Sequence, residues 1–428
     1  IRKRDVEIAN VFADLKRRTG YPNFISVSWV KNSSPRVLAI AKILQDANIG
    51  CRVTSAKQSM SEEVLVAIKR SNIKNSEYER LQQAYHKEQV YNYSELILGL
   101  PNETYTSYMQ GLASCLNSSI YCQTYVYLCA LFPNTEMNEL SYREQYGLQT
   151  NIIEAGYNKS KHSFKMNEET EIAVATNTLP ADDWVSAFCN GSILLCLHDS
   201  RLAFFVLNYL RDELEVDFIH FVEALHEAAL VSDRFEIIKR TMNRLREKAH
   251  RIQRLGETQL MEPEGYNQAC YEPPDATFLA ILWELEDFYE EFFGFTTQYL
   301  SDNGVEFDAH LLRDLFRFQE AVLIAPDETC DLSTELLLDY DWPEYFRYVF
   351  NYEKADLRPS PTALGRVNHM PSCGDGSKFI ADYFNIRGVP VFVDLHDIED
   401  NVVFPSAVIR KISGVVNMTT QSIFAESD

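Results

Sequence analysis

Apolar positions recur every three to four residues through DVEIANVFADLKRR, the spacing of one helix face, and its acidic start and basic end suit the helix macrodipole. FISVSWV, from Phe24 to Val30, is instead an apolar, β-branched run of strand length. PRVLAIAKILQDANIG predicts a helix opened by the serines before Pro35 and stopped at Gly50. CRVTSAK predicts a second strand over Cys51 to Lys57, and SEEVLVAIKR, opening at Ser61, and NSEYERLQQAYHKEQ predict helices. YSELILGL (Tyr93 to Leu100) predicts a third strand and ETYTSYMQGLASCL a helix. IYCQTYVYLCALF (Ile120 to Phe132) predicts a fourth strand, stopped by Pro133. Strands alternating with helices of roughly 10–15 residues describe βαβ units and a parallel sheet. Their near-continuous apolar runs fit strands covered on both faces.

The texture changes after about residue 165. EIAVATNTL (Glu171 to Leu179) is compatible with one more strand, and long helical patterns follow it: DDWVSAFCNGSILLCLHDSRLAFFVLNYLRDE, DFIHFVEALHEAALV and RFEIIKRTMNRLREKAHRIQRLG. A Pro-containing linker, EPEGYNQACYEPP, separates these from FLAILWELEDFYEEFFGFTTQYL and AHLLRDLFRFQEAVLIA. The tail from Tyr352 carries Pro, Gly and a single strong strand, VPVFVDLH. The expected organisation is α/β over residues 1–165, a mostly α-helical domain over 166–351, and a small α/β tail or cap over 352–428.

Composition then narrows the function. Of the 428 residues, 46% are hydrophobic and the formal charge is −22. A large non-specific nucleic-acid binder is excluded, because phosphate binding runs on clustered Lys and Arg. No apolar run reaches the roughly 18 residues of a bilayer span. Entry at Ile1 directly on a helical pattern, with no signal peptide, points to a soluble, cytoplasmic chain whose true N-terminus lies upstream. The nine Cys are too sparse and irregular for a disulfide framework. Their closest spacings, as in Cys115, Cys122 and Cys129, are seven residues, against two to four in zinc and cluster motifs. They read as small core residues, and no metal ligands are assigned.

In a parallel αβ barrel the reacting groups lie at the C-terminal strand ends. Those ends supply Lys31 and Asn32, then Lys57, Gln58 and Ser59, then Gly99 with Asn102 and Glu103, and finally Pro133 to Thr135. ELILGLPNET is the most informative, because Gly permits close backbone approach and the following helix opens with free N–H groups. A tight turn closed by Glu103 accounts for the same spacing.

KQSMSEEVLVAIKRSNI and ELILGLPNETY together resemble the radical S-adenosylmethionine enzymes, in particular the branch that also carries a cobalamin-binding domain. In that superfamily a Gln-Ser or Glu-Ser pair follows the fourth barrel strand, as Gln58-Ser59 does here. A basic residue and Ser or Gly end the next helix, as in Lys69-Arg70-Ser71-Asn72. A Gly-Leu-Pro-Gly-Glu-Thr turn follows the fifth strand, and a Pro-x-Thr-Glu turn, matched by Phe132-Pro133-Asn134-Thr135-Glu136, ends the sixth. Asn102 stands where the family usually has Gly, at a position suited to a positive φ, which Asn tolerates. The family's Cys-x3-Cys-x2-Cys loop and its cobalamin domain are absent from residues 1–428; both belong before Ile1.

The resemblance implies a partial (βα) barrel, latter strands only, followed by a mostly α-helical C-terminal domain. It implies S-adenosylmethionine as cofactor, with a [4Fe-4S] cluster and cobalamin whose ligands lie outside this chain. The implied reaction is generation of a 5′-deoxyadenosyl radical for C–H modification or methyl transfer, with this portion inactive alone. By carry-over, Gln58 and Ser59 face the ribose or amino-acid end of S-adenosylmethionine; Leu98, Gly99 and Leu100 line the adenine side; Pro133 marks the next rim. Lys31 and Asn32 are polar contacts near the methionine carboxylate or the substrate. No catalytic residue is assigned. The implied partners are a small-molecule or peptide substrate and an electron donor such as flavodoxin or ferredoxin, with no nucleic acid and no membrane. The alternative is a non-catalytic helical binding or scaffold protein descended from such an enzyme.

Other candidate chemistry is thin. Glu223-Ala224-Leu225-His226 has the Glu-x-x-His spacing of di-iron bundles, which need two such motifs; a half-buried histidine explains it. The aromatic stripe at Phe288, Phe292, Phe293 and Phe295 reads as core, and KRTMNRLREKAHRIQRL as a solvated basic face. Walker loops, nucleophile elbows and Gly-x-Gly-x-x-Gly motifs do not occur.

Overall fold

The computed structural model describes residues 2–25, 27, 29, 35–51, 53–88, 90, 92–118, 122–154, 169–264, 270–323, 325, 334–355, 357–367, 394–396 and 402–404. The architecture is mixed α/β. Helices α1 (Lys3–Thr19) and α2 (Pro35–Asp46) pack through Ala9, Ala13, Ile40 and Leu44. Of the first expected strand, Phe24 forms a parallel bridge with Gly50, while Ser26, Ser28 and Val30 lie outside the described residues.

Strands β1 (Val53–Thr54), β2 (Asn92–Leu98) and β3 (Cys122–Leu128) form a parallel sheet in that order, with Asn92 opposite Cys122 and Leu98 opposite Leu128. The second strand is shorter than its apolar pattern suggests for a local reason. The amides of Lys57 and Gln58 both reach the Glu95 carbonyl, at 3.2 and 2.7 Å, which bulges the chain and sets Gln58 at φ 62°. Pairing then resumes between Gln58 and Leu96. Helices α3 (Glu62–Ala67), α4 (Asn75–Lys87) and α5 (Tyr105–Ser118) complete the crossovers. Ser61 caps α3 by accepting from the Val64 amide.

After α6 (Leu140–Tyr146), strands β4 (Gln149–Glu154) and β5 (Glu169–Ala175) pair antiparallel. The strand expected over 171–179 stops at Ala175, because Thr176 Oγ1 draws the amides of Thr178 and Leu179 (3.2 and 3.0 Å) into a turn. β5 meets the chain just beyond β3 in an antiparallel bridge, Ala130 opposite Ile172: Ala173 donates to the Cys129 carbonyl and Leu131 to that of Glu171, both at 2.8 Å.

The helical region is built around α7 (Ala181–His198), buried at every residue from Trp184 to His198 except Ser186, as a helix apolar all round must be. Gly191 makes its crossing with α5 possible: a Cβ there would lie 2.6 Å from the Tyr108 hydroxyl. The long pattern from Asp182 divides into α7 and α8 (Phe204–Leu214). The break is stabilised by buried Gln319, whose side chain accepts from the Phe205 amide (2.7 Å) and donates to the Arg201 carbonyl (3.0 Å). Helices α9 (Phe218–Val231), α10 (Glu236–Leu255), α11 (Pro273–Ile281), α12 (Leu285–Asp302) and α13 (Ala309–Ala321) follow.

β6 (Thr334–Tyr340), α14 (Trp342–Phe350), β7 (Pro359–Val367), β8 (Asp394–His396) and β9 (Val402–Phe404) then give an antiparallel sheet in strand order. Of VPVFVDLH, only the Asp394–His396 backbone is described. Buried Asp314 ties α13 to this sheet, accepting from the amides of Asp339 and Tyr340 (3.1 and 3.2 Å) and from Trp342 Nε1 (2.9 Å). One core cluster extends from Leu96 in β2 to Leu364 in β7. Among the described residues no helix is long and apolar enough to cross a membrane.

Candidate functional site

The C-terminal ends of β1, β2 and β3 lie side by side, and the loops leaving them are bonded to one another. Gln58 sits half-buried beside Leu96, and Leu98 sits opposite Leu128. Buried Ser59 accepts from the Ser61 amide (3.1 Å), and its hydroxyl lies near the carboxylate of Glu103, in the loop after β2. Glu103 accepts from Ser107. Burial raises its pKa, and the two hydroxyls pull the other way. Lys69 pairs with Glu136, and the Tyr142 hydroxyl donates to the Ala67 carbonyl (2.9 Å), so the loop carrying Pro133 leans on the end of α3. Pro133 itself is exposed. Gln58, Ser59, Leu98, Gly99 and Leu100 are thus gathered at one end of the sheet, with Pro133 on the adjoining loop. Lys31 and Asn32 lie outside the described residues.

Gly99 has φ 95°, and a Cβ there would meet the Ala173 carbonyl at 3.1 Å and Trp184 Nε1 at 3.3 Å. Its close approach is therefore to β5 and α7. Trp184 is fully buried, and its indole N–H has no hydrogen-bond partner. Asn102 adopts φ 65°, the conformation expected for a residue standing in place of Gly. Lys57 turns to the helical side of the sheet, donating to the Ile73 carbonyl (3.2 Å) and Asn75 Oδ1 (3.3 Å) beneath the Tyr78 ring. Burial lowers its pKa to about 8.

The sheet has a second feature that the loop motifs did not disclose. Buried and half-buried residues alternate strictly along β2. The buried set, Ser94, Leu96 and Leu98, faces the helices. The opposite face carries Tyr93, Glu95 and Ile97, registered with Gln123, Tyr125 and Tyr127 of β3. Thr54 donates to the Tyr93 hydroxyl at 2.6 Å, the rings of Tyr93 and Tyr125 meet edge-on at 5.5 Å, and the Tyr125 hydroxyl donates to Gln123 Oε1 at 2.8 Å. Glu95 is held above the usual carboxylate range by burial, with Arg70 opposing. Tyr127 is 47% exposed. A polar, tyrosine-rich face of this kind offers hydrogen bonds and flat ring surface to a ligand. The period-2 alternation in NYSEL was the signal available for it.

The remaining candidates are absorbed into the fold. His226 is buried, with Nδ1 2.7 Å from Asn190 Oδ1. Among the described residues no group of three or more His, Cys, Asp or Glu side chains could hold a metal. Cys115, Cys122, Cys129 and Cys189 are buried, and burial pushes their thiols up to about 11–12. Thiols kept protonated in this way are poor metal ligands. Phe288 and Phe292 stack inside the core. The basic helix α10 is matched by acids: Arg240 with Glu284 and Arg244 with Glu264.

No family model matches the chain. It is similar to the cobalamin-dependent radical SAM methyltransferase TokK of Streptomyces tokunonensis, 30% identical over 81% of this chain and 52% of that protein. It is also similar to the 2-(S-pantetheinyl)-carbapenam-3-carboxylate methyltransferase of Streptantibioticus cattleyicolor, 29% identical over 80% of this chain and 52% of that protein. The chain therefore spans about half the length of the curated relatives it matches.

Proposed function

We propose that this chain, which belongs to the cobalamin-binding branch of the radical S-adenosylmethionine superfamily, supplies the later strands of a partial (βα) barrel and the helical domain of a methyl-transferring enzyme. The observation that carries the reading is the joint placement of Gln58-Ser59 and Gly99-Leu100 at one end of a parallel sheet whose open face is lined by Tyr93, Glu95, Tyr125 and Tyr127. The similarity to the two relatives covers about four fifths of the chain, 81% and 80%.

S-adenosylmethionine fits this end of the sheet by its chemistry. Its adenine wants a flat wall bordered by backbone groups, which the Leu98–Leu100 backbone supplies at the strand end while the Leu98 and Leu100 side chains stay in the core, and its ribose and amino-acid ends want polar groups, which Gln58 and Glu95 present. Bound there and reduced by one electron, one molecule would supply the 5′-deoxyadenosyl radical and release methionine, while a second would supply the methyl group by way of cobalamin and leave S-adenosylhomocysteine. Among the described residues the cysteines are scattered and most are buried, and no three His, Cys, Asp or Glu side chains group together, so they do not fit a [4Fe-4S] cluster, and no step is assigned to cluster ligands in this chain. The protein's own part is positional. Asn72 holds the Ser59 carbonyl and Thr178 the Glu103 carbonyl, which fixes the loops after β1 and β2, and the tyrosine face holds an acceptor while excluding bulk water. The acceptor is a small molecule or a peptide, and a flavodoxin- or ferredoxin-like donor supplies electrons.

The test is anaerobic reconstitution of the full parent protein with iron and sulfide, followed by an assay for 5′-deoxyadenosine and S-adenosylhomocysteine. Formation of both supports the reading. A well-folded, cluster-loaded protein that forms neither overturns it.

A further inference from the structure

On the helical side of β3, a cavity of about 90 Å³ opens between the strand, the end of α7 and the start of α11. Its floor is apolar, from Val126, Leu128, Phe188 and Leu195, and its rim carries the carboxyl groups of Asp199, Glu272 and Asp275. Among the described residues no Lys, Arg or His side chain lines it. Asp199 is compensated from behind, accepting from the Thr124 amide (2.7 Å) and lying 2.9 Å from His198 Nδ1. Glu272 accepts from Gln259 Nε2 at 2.9 Å. Asp275 lies near the Ser200 hydroxyl, and no cation among the described residues lines the cavity beside it. The decisive atom is Thr124 Oγ1: Thr124 is 4% exposed, lines the cavity, and its hydroxyl oxygen has no partner.

An apolar floor with a free hydroxyl oxygen and an uncompensated carboxyl, walled by further carboxylates and no base, is complementary to a donor-rich cation on a short hydrocarbon stem. We propose that this cavity binds a primary ammonium group carried on a short alkyl chain, with Asp275 and Thr124 as its acceptors. The cavity lies on the helical side of β3; Leu98, Gln123 and Tyr125 border both it and the region at the strand ends, whereas Thr124 and Asp275 belong to the cavity alone. Its pH dependence follows from the groups that face it. Burial and the neighbouring Glu272 push Asp275 up to about 7, and Glu272 is itself raised by burial. Arg201 and His198 act on Asp199 behind the wall, and burial raises the Tyr108 phenol beside it. Asp275 holds the ligand only when ionised, so binding strengthens as pH rises through about 7.

The probe is n-propylammonium, titrated into the 428-residue chain by saturation-transfer NMR, with 1-propanol as the neutral control. The expected result is saturable binding at pH 8, at least fivefold weaker at pH 6, at least tenfold weaker in Asp275→Asn, and weakened in Thr124→Val. If Asp275→Asn does not fold, Glu272→Gln carries the charge test, with at least threefold weakening expected. Absence of binding at pH 8, equal binding of 1-propanol, or indifference of the folded variants overturns the proposal.

Discussion

Glu103 and Thr178, seventy-five positions apart, share a hydrogen bond that ties the loop after β2 to the turn after β5: the Glu103 backbone carbonyl accepts from Thr178 Oγ1 at 2.7 Å. Glu103 is 1% exposed, and its carboxylate accepts from the half-buried Ser107 hydroxyl. Glu103→Ala removes that acceptor at a buried site, and such a loss costs about 1–3 kcal/mol. Urea unfolding measures it, and Glu103→Gln, which keeps an acceptor oxygen, is expected to cost less.

At Gly99 the backbone lies at φ 95° with β5 and α7 closing over it. Gly99→Ala meets both the conformational penalty and the Ala173 carbonyl, so destabilisation on the order of 1–3 kcal/mol is expected. A neutral Gly99→Ala variant in thermal unfolding would show that β5 and α7 do not close on this turn.

Gln58 separates backbone from side chain. Its φ of 62° favours glycine, so Gln58→Gly is expected to leave stability unchanged or slightly raised. If the side chain contacts S-adenosylmethionine, affinity in the parent protein falls at least tenfold. Calorimetric titration beside urea unfolding reads both quantities.

Asp314 holds α13 to β6 and to the start of α14 through two backbone amides and an indole N–H. Asp314→Ala orphans those donors around a buried site, and a loss of about 3 kcal/mol or more is expected. Hydrogen exchange should show the β6 amides opening first.

Asp275 has a folded pKa, about 7, above its unfolded value, which is near 4. The folded state therefore holds more protons between those values, and this residue's contribution to stability is present at low pH and lost as pH rises through 7. Subtracting the stability–pH curve of Asp275→Asn from that of the unsubstituted chain should leave a falling slope over pH 4–7. A flat difference would contradict the burial of this carboxyl.

The parallel strands and their helices were legible because their apolar runs and turn residues agree at every level. The turn after β2 was legible for the same reason: Gly99, Asn102 and Glu103 each serve a local constraint written in residue type. What pattern did not show depends on distant partners. The bulge that shortens β1 is made by Glu95 of the next strand, and the break between α7 and α8 is held by Gln319, over a hundred residues away. β4 and α6 follow no strong period, so their pairing and packing set them. Tyr93, Tyr125 and Tyr127 look like ordinary strand residues until register puts them on one open face.

Photo-crosslinking of S-adenosylmethionine to the parent protein, mapped by mass spectrometry, tests the central claim most directly. The account predicts adducts confined to peptides containing Gln58, residues 93–100 or residues 123–127. Adducts found only in the helical region beyond residue 181, or none at saturating ligand, would contradict it.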